Sequence, residues 1–478
     1  MNYIDFSNRQ NRDIRIEDLS KEYLDLIINA AKNDYSYPKF HIAPRHGLLN
    51  DPNGLCEIEG IYHIFYQWFP AGPVHGLKYW RHLTTKDFIN YKDLGIGIAP
   101  DAEFDEDGCY TGITLQDDDA YRIYYTGIRG KDNRPSVCYG EIEENKVVNK
   151  RMLFDVDEKI TTLNFRDPSV IKKDDKYLML VGGEDNNNNN GIITLYSSEN
   201  PYDFKYIGNL KMPQYDYGYM LECSNYYEED GKGKLFFSPQ GIQSTSNYDF
   251  RNVFSVVYSV GKPINVDTCN FEAPSFYEMD KGFDFYAPQS FKDSKGRVVL
   301  YRWLGNSKCI YPSDKNQWAH MLTIPRRVTI EGDRLLQWPL EELKELRQEK
   351  ISICGEHEIK DCAFELEFEA NCEFAFTLGN DKDEKIVFSG TKEEYCLDRS
   401  KMSYMYNEKY GMQRYAQRIE NNNNRIRVFV DNSSIEIFCD SGKTVFTSRF
   451  YIENVSKLKI SGAIGNLYYL NRINISIT

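Results

Sequence analysis

The sequence of 478 residues lacks any apolar run close to the roughly 20 residues that a membrane-spanning helix needs. Residues 1–26 also lack the apolar centre of a signal peptide. Basic side chains are in the minority, with 58 Lys and Arg against 72 Asp and Glu, so the net charge is -14. This balance argues against a broad basic face, so we expect no nucleic-acid partner and no membrane partner.

Metal-binding and disulfide patterns are also missing. The 11 cysteines are scattered without a CxxC pair, and the seven histidines show no metal-ligand spacing. Reduced thiols are typical of the cytoplasm. We therefore expect a cytoplasmic protein that needs no metal ion.

Helical patterning is scarce, whereas aromatic residues make up 14% of the chain, which favours strands and stacking surfaces. Residues 20–33 carry apolar side chains at helical spacing, and Ser20 is suited to the N-cap position. We expect a short N-terminal helical segment within residues 1–35.

A repeat follows this segment. Five stretches each combine a polar signature, a short strand, a charged or glycine-containing turn and a second apolar strand. The signature positions, which are 59, 57, 55 and 62 residues apart, are Asp51, Tyr110, Asp167, Glu222 and Asp284. A period near 60 residues with an internal hairpin is typical of four-stranded propeller blades, although any all-β chain has loosely spaced hairpins. We expect an all-β protein with a five-bladed β-propeller over residues 36–345.

The pattern changes after about residue 350. Short alternating runs such as "AFELEFEA" and "RIRVFVD" are separated by turns such as "VDNSS". This spacing is typical of a sandwich, so we expect a separate C-terminal β-sandwich domain over residues 350–478.

The first signature, "LLNDPNG", places Asp51 on a turn just before the strand-like run "IYHIFYQWF". Asp often caps turns, so a single occurrence decides nothing. In a propeller, however, the inner strands converge on a central channel, and Asp51, Asp167 and Glu222 would line one funnel. Crowding raises the pKa of at least one such carboxyl group. A protonated acid beside an ionised nucleophile performs glycoside hydrolysis.

Side chains suited to a sugar accompany these acids. Trp68, Trp80 and Trp303 can stack on a sugar face, and Asn50, Gln67 and Arg166 can bond hydroxyl groups. Asp284, in "FDFYAP", either lines the funnel or caps a turn.

The ordered stretches "LLNDPNG", "FYQWFP", "FRDPSV", "LECSNYY" and "FDFYAPQSF" resemble the motifs of glycoside hydrolase family 32, and the likeness runs from about residue 36 onward. That family includes invertases, sucrose-6-phosphate hydrolases and fructanases. The resemblance implies a five-bladed propeller and a sandwich. It also implies retaining cleavage of β-fructofuranosidic bonds in sucrose, sucrose 6-phosphate or short fructo-oligosaccharides, without a cofactor.

The resemblance also implies individual roles. Asp51 would be the nucleophile, Glu222 the general acid and then base, and Asp167 the transition-state stabiliser. The fructose pocket would be lined by Asn50, Gln67, Trp80, Tyr110, Thr111 and Arg166.

Several positions depart from the family pattern. Leu48 and Leu49 stand where a Trp and another apolar residue are common, and Asn225 stands where Asp is usual. Arg81 stands where Gly is usual, and it either contacts a substrate phosphate or forms an ion pair. Cys223, beside Glu222, is interpreted as a packing residue.

Two other functions remain open from the sequence. A fructosyltransferase would use the same three acids with a sugar acceptor in place of water, and a non-catalytic sugar-binding propeller would use none of them. The sandwich most simply covers apolar propeller surface, and a homodimer formed through it is a further possibility.

Overall fold

The computed structural model describes residues 2–117, 120–406, 409–419 and 425–477. The predicted N-terminal helix is present as α1 (Lys21–Lys32), and the Ser20 hydroxyl accepts a hydrogen bond from the Tyr23 amide at 3.1 Å. Tyr23, Ile27 and Ala31 form its buried face. Short 3-10 helices span Arg9–Asp13, Ile16–Asp18, Pro312–Asn316, Glu341–Leu346 and Asp440–Gly442. No helix in these described ranges is long and apolar enough to cross a membrane.

Four sheets are each built on four consecutive strands, as the repeat predicts. The first holds β1 (Gly47–Ile58), β2 (Ile61–Phe69), β3 (Tyr79–Thr85) and β4 (Asn90–Ile98). The second holds β5 (Gly108–Asp117), β6 (Ala120–Arg129), β7 (Arg134–Glu143) and β8 (Lys146–Asp155). The third holds β9 (Thr161–Lys173), β10 (Lys176–Asp185), β11 (Gly191–Ser198) and β12 (Lys205–Asn209). The fourth holds β13 (Met220–Glu229), β14 (Lys232–Gln240), β15 (Val257–Gly261) and β16 (Tyr277–Glu278).

The next part of the chain departs from this pattern. It forms β17 (Tyr286–Lys292), β18 (Val298–Leu304), β19 (Trp318–Ala319), β20 (Met321–Leu322), β21 (Arg326–Glu331) and β22 (Arg334–Pro339). The sheet order is β17-β18-β21-β22, with β20 also paired to β18, while β19 joins the first sheet beside β1. The prediction of five blades is therefore wrong: four blades follow the predicted pattern, and β19 crosses to the first sheet, so the strands after β18 do not complete a simple meander.

The first strands of these sheets lie side by side around one axis. β1 packs against β5, β5 against β9, β9 against β13 and β13 against β17, while β17 packs against β1. The arrangement is propeller-like, and the inner strands surround a common centre.

The C-terminal part forms a nine-stranded antiparallel sheet that folds into the predicted sandwich. Its strands are β23 (Arg347–Glu358), β24 (Ala363–Gly379), β25 (Lys385–Gly390), β26 (Glu394–Lys401), β27 (Gln413–Gln417), β28 (Arg425–Asp431), β29 (Ser434–Cys439), β30 (Thr444–Arg449) and β31 (Lys457–Leu470). The long strand β24 pairs with β25, β28 and β31, and its apolar side chains enclose a separate core. A last strand, β32 (Asn474–Ile477), leaves this sheet and pairs in parallel with β4 of the first blade.

Buried ion pairs join the two parts of the molecule. Asp284 accepts hydrogen bonds from Tyr311 at 2.6 Å and from Arg399 of the sandwich at 3.0 Å, and both partners of the ion pair are fully buried. Glu436 of the sandwich pairs with Arg326 at 2.5 Å and accepts from His41 at 2.9 Å. Because buried charges are costly without partners, these contacts fix how the sandwich sits on the propeller.

Removal of one buried charge at this junction should destabilise the protein strongly. We expect Asp284→Asn to lower the free energy of unfolding by about 3–5 kcal/mol, because Arg399 keeps a charge that no carboxylate then balances. Urea unfolding followed by tryptophan fluorescence and circular dichroism measures this loss. The control is Glu272→Gln, which removes an exposed pair with Lys262 and should leave the midpoint unchanged. An unchanged midpoint for Asp284→Asn would contradict the prediction.

Candidate active site

Each of the five inner strands inserts one extra residue relative to its partner strand at the same level of the ring. The insertions lie between Leu49 and Pro52, Cys109 and Gly112, Arg166 and Ser169, Glu222 and Asn225, and Tyr286 and Gln289. Such bulges bend the strand and redirect side chains, and they are common beside active sites. Asp167, Cys223 and Ala287 adopt left-handed backbone angles there, with φ of 66°, 51° and 51°. The bulges turn the signature side chains of the first four inner strands toward the centre, whereas the bulge of the fifth strand begins at Tyr286 and not at Asp284.

These side chains line one cavity of about 1030 Å³. All three predicted acids and five of the six predicted sugar contacts border it, namely Asp51, Asp167, Glu222, Asn50, Gln67, Tyr110, Thr111 and Arg166. Trp303 also borders it, as predicted for a stacking residue. The volume is large enough for a disaccharide, since small-ligand pockets typically measure about 300–1,000 Å³.

Asp51 lies within a chain of hydrogen bonds. The Thr111 hydroxyl donates to one of its carboxylate oxygens, and the Asn50 amide donates to the other at 3.2 Å. The Asn50 amide also donates to Gln67 at 2.7 Å, and the Gln67 amide donates to Thr111 at 2.5 Å. Burial raises the pKa of Asp51 to about 6, opposed by the Thr111 hydrogen bond and reinforced by the charge of Glu222. Asp51 is therefore held in one orientation and titrates in the neutral range.

Glu222 is surrounded by donors. The Arg166 Nε donates to one Glu222 carboxylate oxygen at 2.7 Å, and the Arg166 Nη2 lies 2.6 Å from the same oxygen. Gln240 and Tyr286 donate to the other oxygen at 2.6 Å and 2.5 Å. Neither Gln240 nor Tyr286 was predicted individually, although Tyr286 lies in the "FDFYAP" stretch. Gln240 lies on β14 and Tyr286 on β17, whereas Glu222 lies on β13. The residues next to Glu222 in the sequence therefore do not reveal these two partners.

Asp167 is the most enclosed of the three acids. One of its oxygens accepts from the Cys223 amide at 2.9 Å and from the Cys223 thiol at 3.5 Å. Burial raises the pKa of Asp167 to about 7, and the next largest cause is the charge of Glu222. The Cys223 sulfur also lies 3.9 Å from an Asp51 oxygen. Cys223 thus contacts two of the acids, in addition to the packing role predicted for it.

Lys78 is a cavity residue that the sequence analysis missed. It is only 4% exposed, and its amine donates to the Asn50 side-chain carbonyl at 2.7 Å. This bond fixes the Asn50 amide so that its NH2 group faces Asp51 and Gln67. The available signal was a lysine in "HGLKYW", two residues before the buried Trp80.

Trp80 is not a sugar contact, contrary to the prediction. It is fully buried, packs against Phe65 and Tyr125, and its indole N–H donates to the Tyr110 carbonyl at 3.0 Å. It therefore supports the cavity wall from behind. Trp68 is also buried, donates to the His46 carbonyl at 2.9 Å and does not border the cavity, so it is not a stacking residue either. Asp284 does not line the cavity either, because it belongs to the junction with the sandwich.

The departures from the family pattern lie outside the cavity. Arg81 forms a two-bonded ion pair with Asp93 at 2.7 and 2.8 Å, so the ion-pair interpretation is confirmed. Leu48 and Leu49 are buried in the propeller core. The Asn225 side chain accepts from Ser290 at 2.5 Å and does not contact Glu222.

Within the described ranges, no group of three or more His, Cys, Asp or Glu side chains has an arrangement that could hold a metal ion. The cavity brings together three carboxyl groups with placed donors. A glycosidase needs a pair of such groups on either side of the bond that it cleaves.

Comparison with known proteins agrees with this class. Residues 41–339 match the model of the glycosyl hydrolases family 32 N-terminal domain, and residues 341–464 match that of the family 32 C-terminal domain. The chain belongs to glycosyl hydrolase family 32. This confirms the predicted family and the predicted glycosidase class.

Three relatives span almost the whole chain. A sucrose-6-phosphate hydrolase of Vibrio alginolyticus is 39% identical over 454 residues, which is 94% of this chain and 93% of that protein. One from Staphylococcus xylosus is 34% identical over 481 residues and covers 96% of each chain. The structure of a sucrose-6-phosphate hydrolase from Lactobacillus gasseri is similar with a TM-score of 0.92 and 30% identity, covering 98% of this chain and 99% of that one.

The hydrogen bond from Thr111 should control the titration of Asp51. Because this bond stabilises the ionised carboxylate, we expect Thr111→Val to raise the pKa of Asp51 above its value of about 6. Carboxyl-labelled aspartate NMR over a pH series, assigned with Asp51→Asn, measures the shift. Thr114→Val, which removes a hydroxyl that bonds the Gly54 carbonyl instead, is the matched control. An unchanged titration in Thr111→Val would contradict this assignment.

Proposed function

We propose that this chain hydrolyses the β-fructofuranosidic bond of sucrose or sucrose 6-phosphate with retention of configuration. The observation that carries the proposal is the convergence of Asp51, Asp167 and Glu222 on one cavity, each with its own set of donors. The names of the full-length relatives support the substrate class.

In the first step Glu222 gives a proton to the glycosidic oxygen while Asp51 attacks the anomeric carbon of fructose. The bond to the leaving sugar breaks, and a fructosyl ester forms on Asp51. In the second step Glu222, now ionised, takes a proton from water, which attacks the ester and releases fructose. The Thr111 and Asn50 bonds hold the Asp51 carboxylate in the orientation that attack requires.

Asp167 is proposed to stabilise the positive charge that develops on the fructose ring, as a carboxylate near an oxocarbenium-like transition state does. Asn50, Gln67, Tyr110, Thr111 and Arg166 are proposed to bind fructose hydroxyl groups, because all of them border the cavity. Arg166 has a second role, since it holds a Glu222 oxygen in place.

The proposal needs a closed ring. We infer that the irregular β17 sheet acts as the closing unit, because β17 packs against both β13 and β1. We also propose the predicted domain division into an N-terminal segment (residues 1–35), a propeller (36–345) and a sandwich (350–478). The last strand of the chain, β32, leaves the sandwich and pairs with β4 of the first blade.

We also propose a cytoplasmic location, supported by 11 cysteines that are all free. Dimer formation through the sandwich stays a prediction, which sedimentation analysis would decide.

Replacement of the proposed nucleophile should abolish turnover. We expect Asp51→Asn to lower kcat on sucrose and sucrose 6-phosphate on the order of 10⁴-fold or more. Glu222→Gln should lower kcat by about 10²–10⁴-fold, the usual share of general acid–base catalysis. Fructose release measured by an enzymatic assay provides the rates.

Asp174→Asn is the control, because Asp174 lies on the exposed turn between β9 and β10. Full activity in Asp51→Asn would reject the nucleophile assignment. Product analysis at high sucrose separates hydrolysis from transfer, because a fructosyltransferase would give oligosaccharides in place of free fructose.

The acid side of the pH profile should report the ionisation of Asp51. Because the nucleophile must be ionised and its pKa is raised to about 6, we expect kcat/KM to fall as the pH decreases through about 6. Thr111→Val should move this limb to higher pH. A limb that stays near pH 4 in both proteins would mean that another group controls the acid side.

A further inference from the structure

The catalytic cavity is also bordered by hydrogen-bond donors that no acid of the mechanism uses directly. These donors belong to Arg12, His75, Lys78 and Trp303. They come from the N-terminal segment, from the stretch between β2 and β3 and from β18, so the fold brings them together from distant parts of the sequence.

Lys78 is a buried amine without a counter-ion. Its partners are the Asn50 carbonyl at 2.7 Å and His75 Nδ1 at 3.1 Å, and no described carboxylate forms an ion pair with it. Burial lowers the pKa of Lys78 to about 7, opposed by the charge of Asp51. A buried ammonium group normally requires a bound anion or an ion pair, and an anionic ligand beside it would restore its full charge.

His75 presents a donor at the same place. Because Lys78 donates to Nδ1, the ring proton is assigned to Nε2. Nε2 is buried and has no hydrogen-bond partner in the described part of the chain. The Trp303 ring lies 5.8 Å from the His75 ring, and its buried indole N–H is also without a partner there.

A backbone hydrogen bond holds the N-terminal segment beside His75 and Lys78. The Arg12 carbonyl accepts from the Leu77 amide at 2.7 Å, and a side chain at Gly76 would come within 2.5 Å of that carbonyl oxygen. The Arg12 Nε donates to the Phe6 carbonyl at 3.1 Å, while no described carboxylate forms an ion pair with the guanidinium group. Arg12 is close enough for its charge to lower the pKa of the His75 imidazole, in addition to the larger effects of burial, Lys78 and His320.

We propose that Arg12, His75, Lys78 and Trp303 form an anion subsite that binds the phosphoryl group of a phosphorylated disaccharide. The proposal rests on the function proposed above and extends it, because it assigns the preferred substrate as a phosphosugar. Donors without acceptors suit a phosphoryl group, which offers several acceptor oxygens and negative charge. A neutral sugar would leave the Lys78 and Arg12 charges unpaired.

The sequence analysis offered Arg81 as a possible contact for a substrate phosphate, and the proposed subsite takes its place. Arg81 is neutralised by Asp93 and does not border the cavity. Arg12 and Lys78 border the cavity and have no such partner among the described residues.

The experiment compares kcat/KM for sucrose 6-phosphate with kcat/KM for sucrose. We expect the ratio to fall about ten-fold or more in Arg12→Gln and again in Lys78→Met, the loss typical of one charge-assisted hydrogen bond. Arg45→Gln, which removes an exposed arginine outside the cavity, should keep the wild-type ratio. An unchanged ratio in both Arg12→Gln and Lys78→Met would overturn the subsite.

A second measurement does not depend on the phosphorylated substrate being turned over. Glucose 6-phosphate and fructose 6-phosphate are tested as inhibitors of sucrose hydrolysis and by calorimetry with the wild type and Arg12→Gln. Loss of glucose 6-phosphate binding in Arg12→Gln supports the subsite on the leaving-sugar side, and loss of fructose 6-phosphate binding supports it on the fructose side. Equal binding of each compound by both proteins overturns it.

The two proposals fail in different ways. If the wild type released no fructose from either disaccharide, the proposed hydrolysis would be wrong, and the calorimetry would still report on the subsite. If both disaccharides released fructose, and the ratio of their kcat/KM values were the same in the wild type and in Arg12→Gln, the proposed hydrolysis would be correct and the proposed subsite wrong.

Discussion

The catalytic cavity depends on one backbone feature, the extra residue that each inner strand inserts opposite its partner. A regular strand alternates its side chains between two faces, so neighbours such as Asn50 and Asp51 would point apart. The bulge lets both contact the same cavity. Because the five bulges lie at one level of the ring, residues more than 50 positions apart in sequence meet around a single centre. Left-handed backbone at Asp167 and Cys223 is part of this geometry, and such strain is typical of functional sites.

The same geometry forces three carboxyl groups close together, which is electrostatically unfavourable. The pKa values of Asp51 and Asp167 are raised above those of an unfolded chain, so ionising these groups as the pH rises costs folding free energy. Donors on neighbouring strands offset part of this cost, and Arg166 does so for Glu222 directly. The cavity is thus a region where the protein gives up folding stability to hold reactive carboxyl groups close together.

The sequence predicted the acids better than it predicted their surroundings. The repeat and the family motifs pointed to Asp51, Asp167 and Glu222, and a helical spacing predicted α1, because these signals are local. Trp80 was misassigned because its motif position does not say which face of β3 it occupies. Lys78 and Tyr286 were missed individually because their importance arises from contacts across strands. The strand order after residue 290 was also beyond local signals, since β19 crosses to another sheet.

The return of β32 to the first blade has a consequence for biosynthesis. β4 emerges from the ribosome more than 370 residues before Asn474, the residue that starts its parallel partner. The first blade therefore keeps an unpaired edge during most of translation, and unpaired edges invite association with other chains. Pairing with residues 474–477 covers that edge only after the sandwich has been synthesised. The first blade is therefore completed last, although its strands are made first.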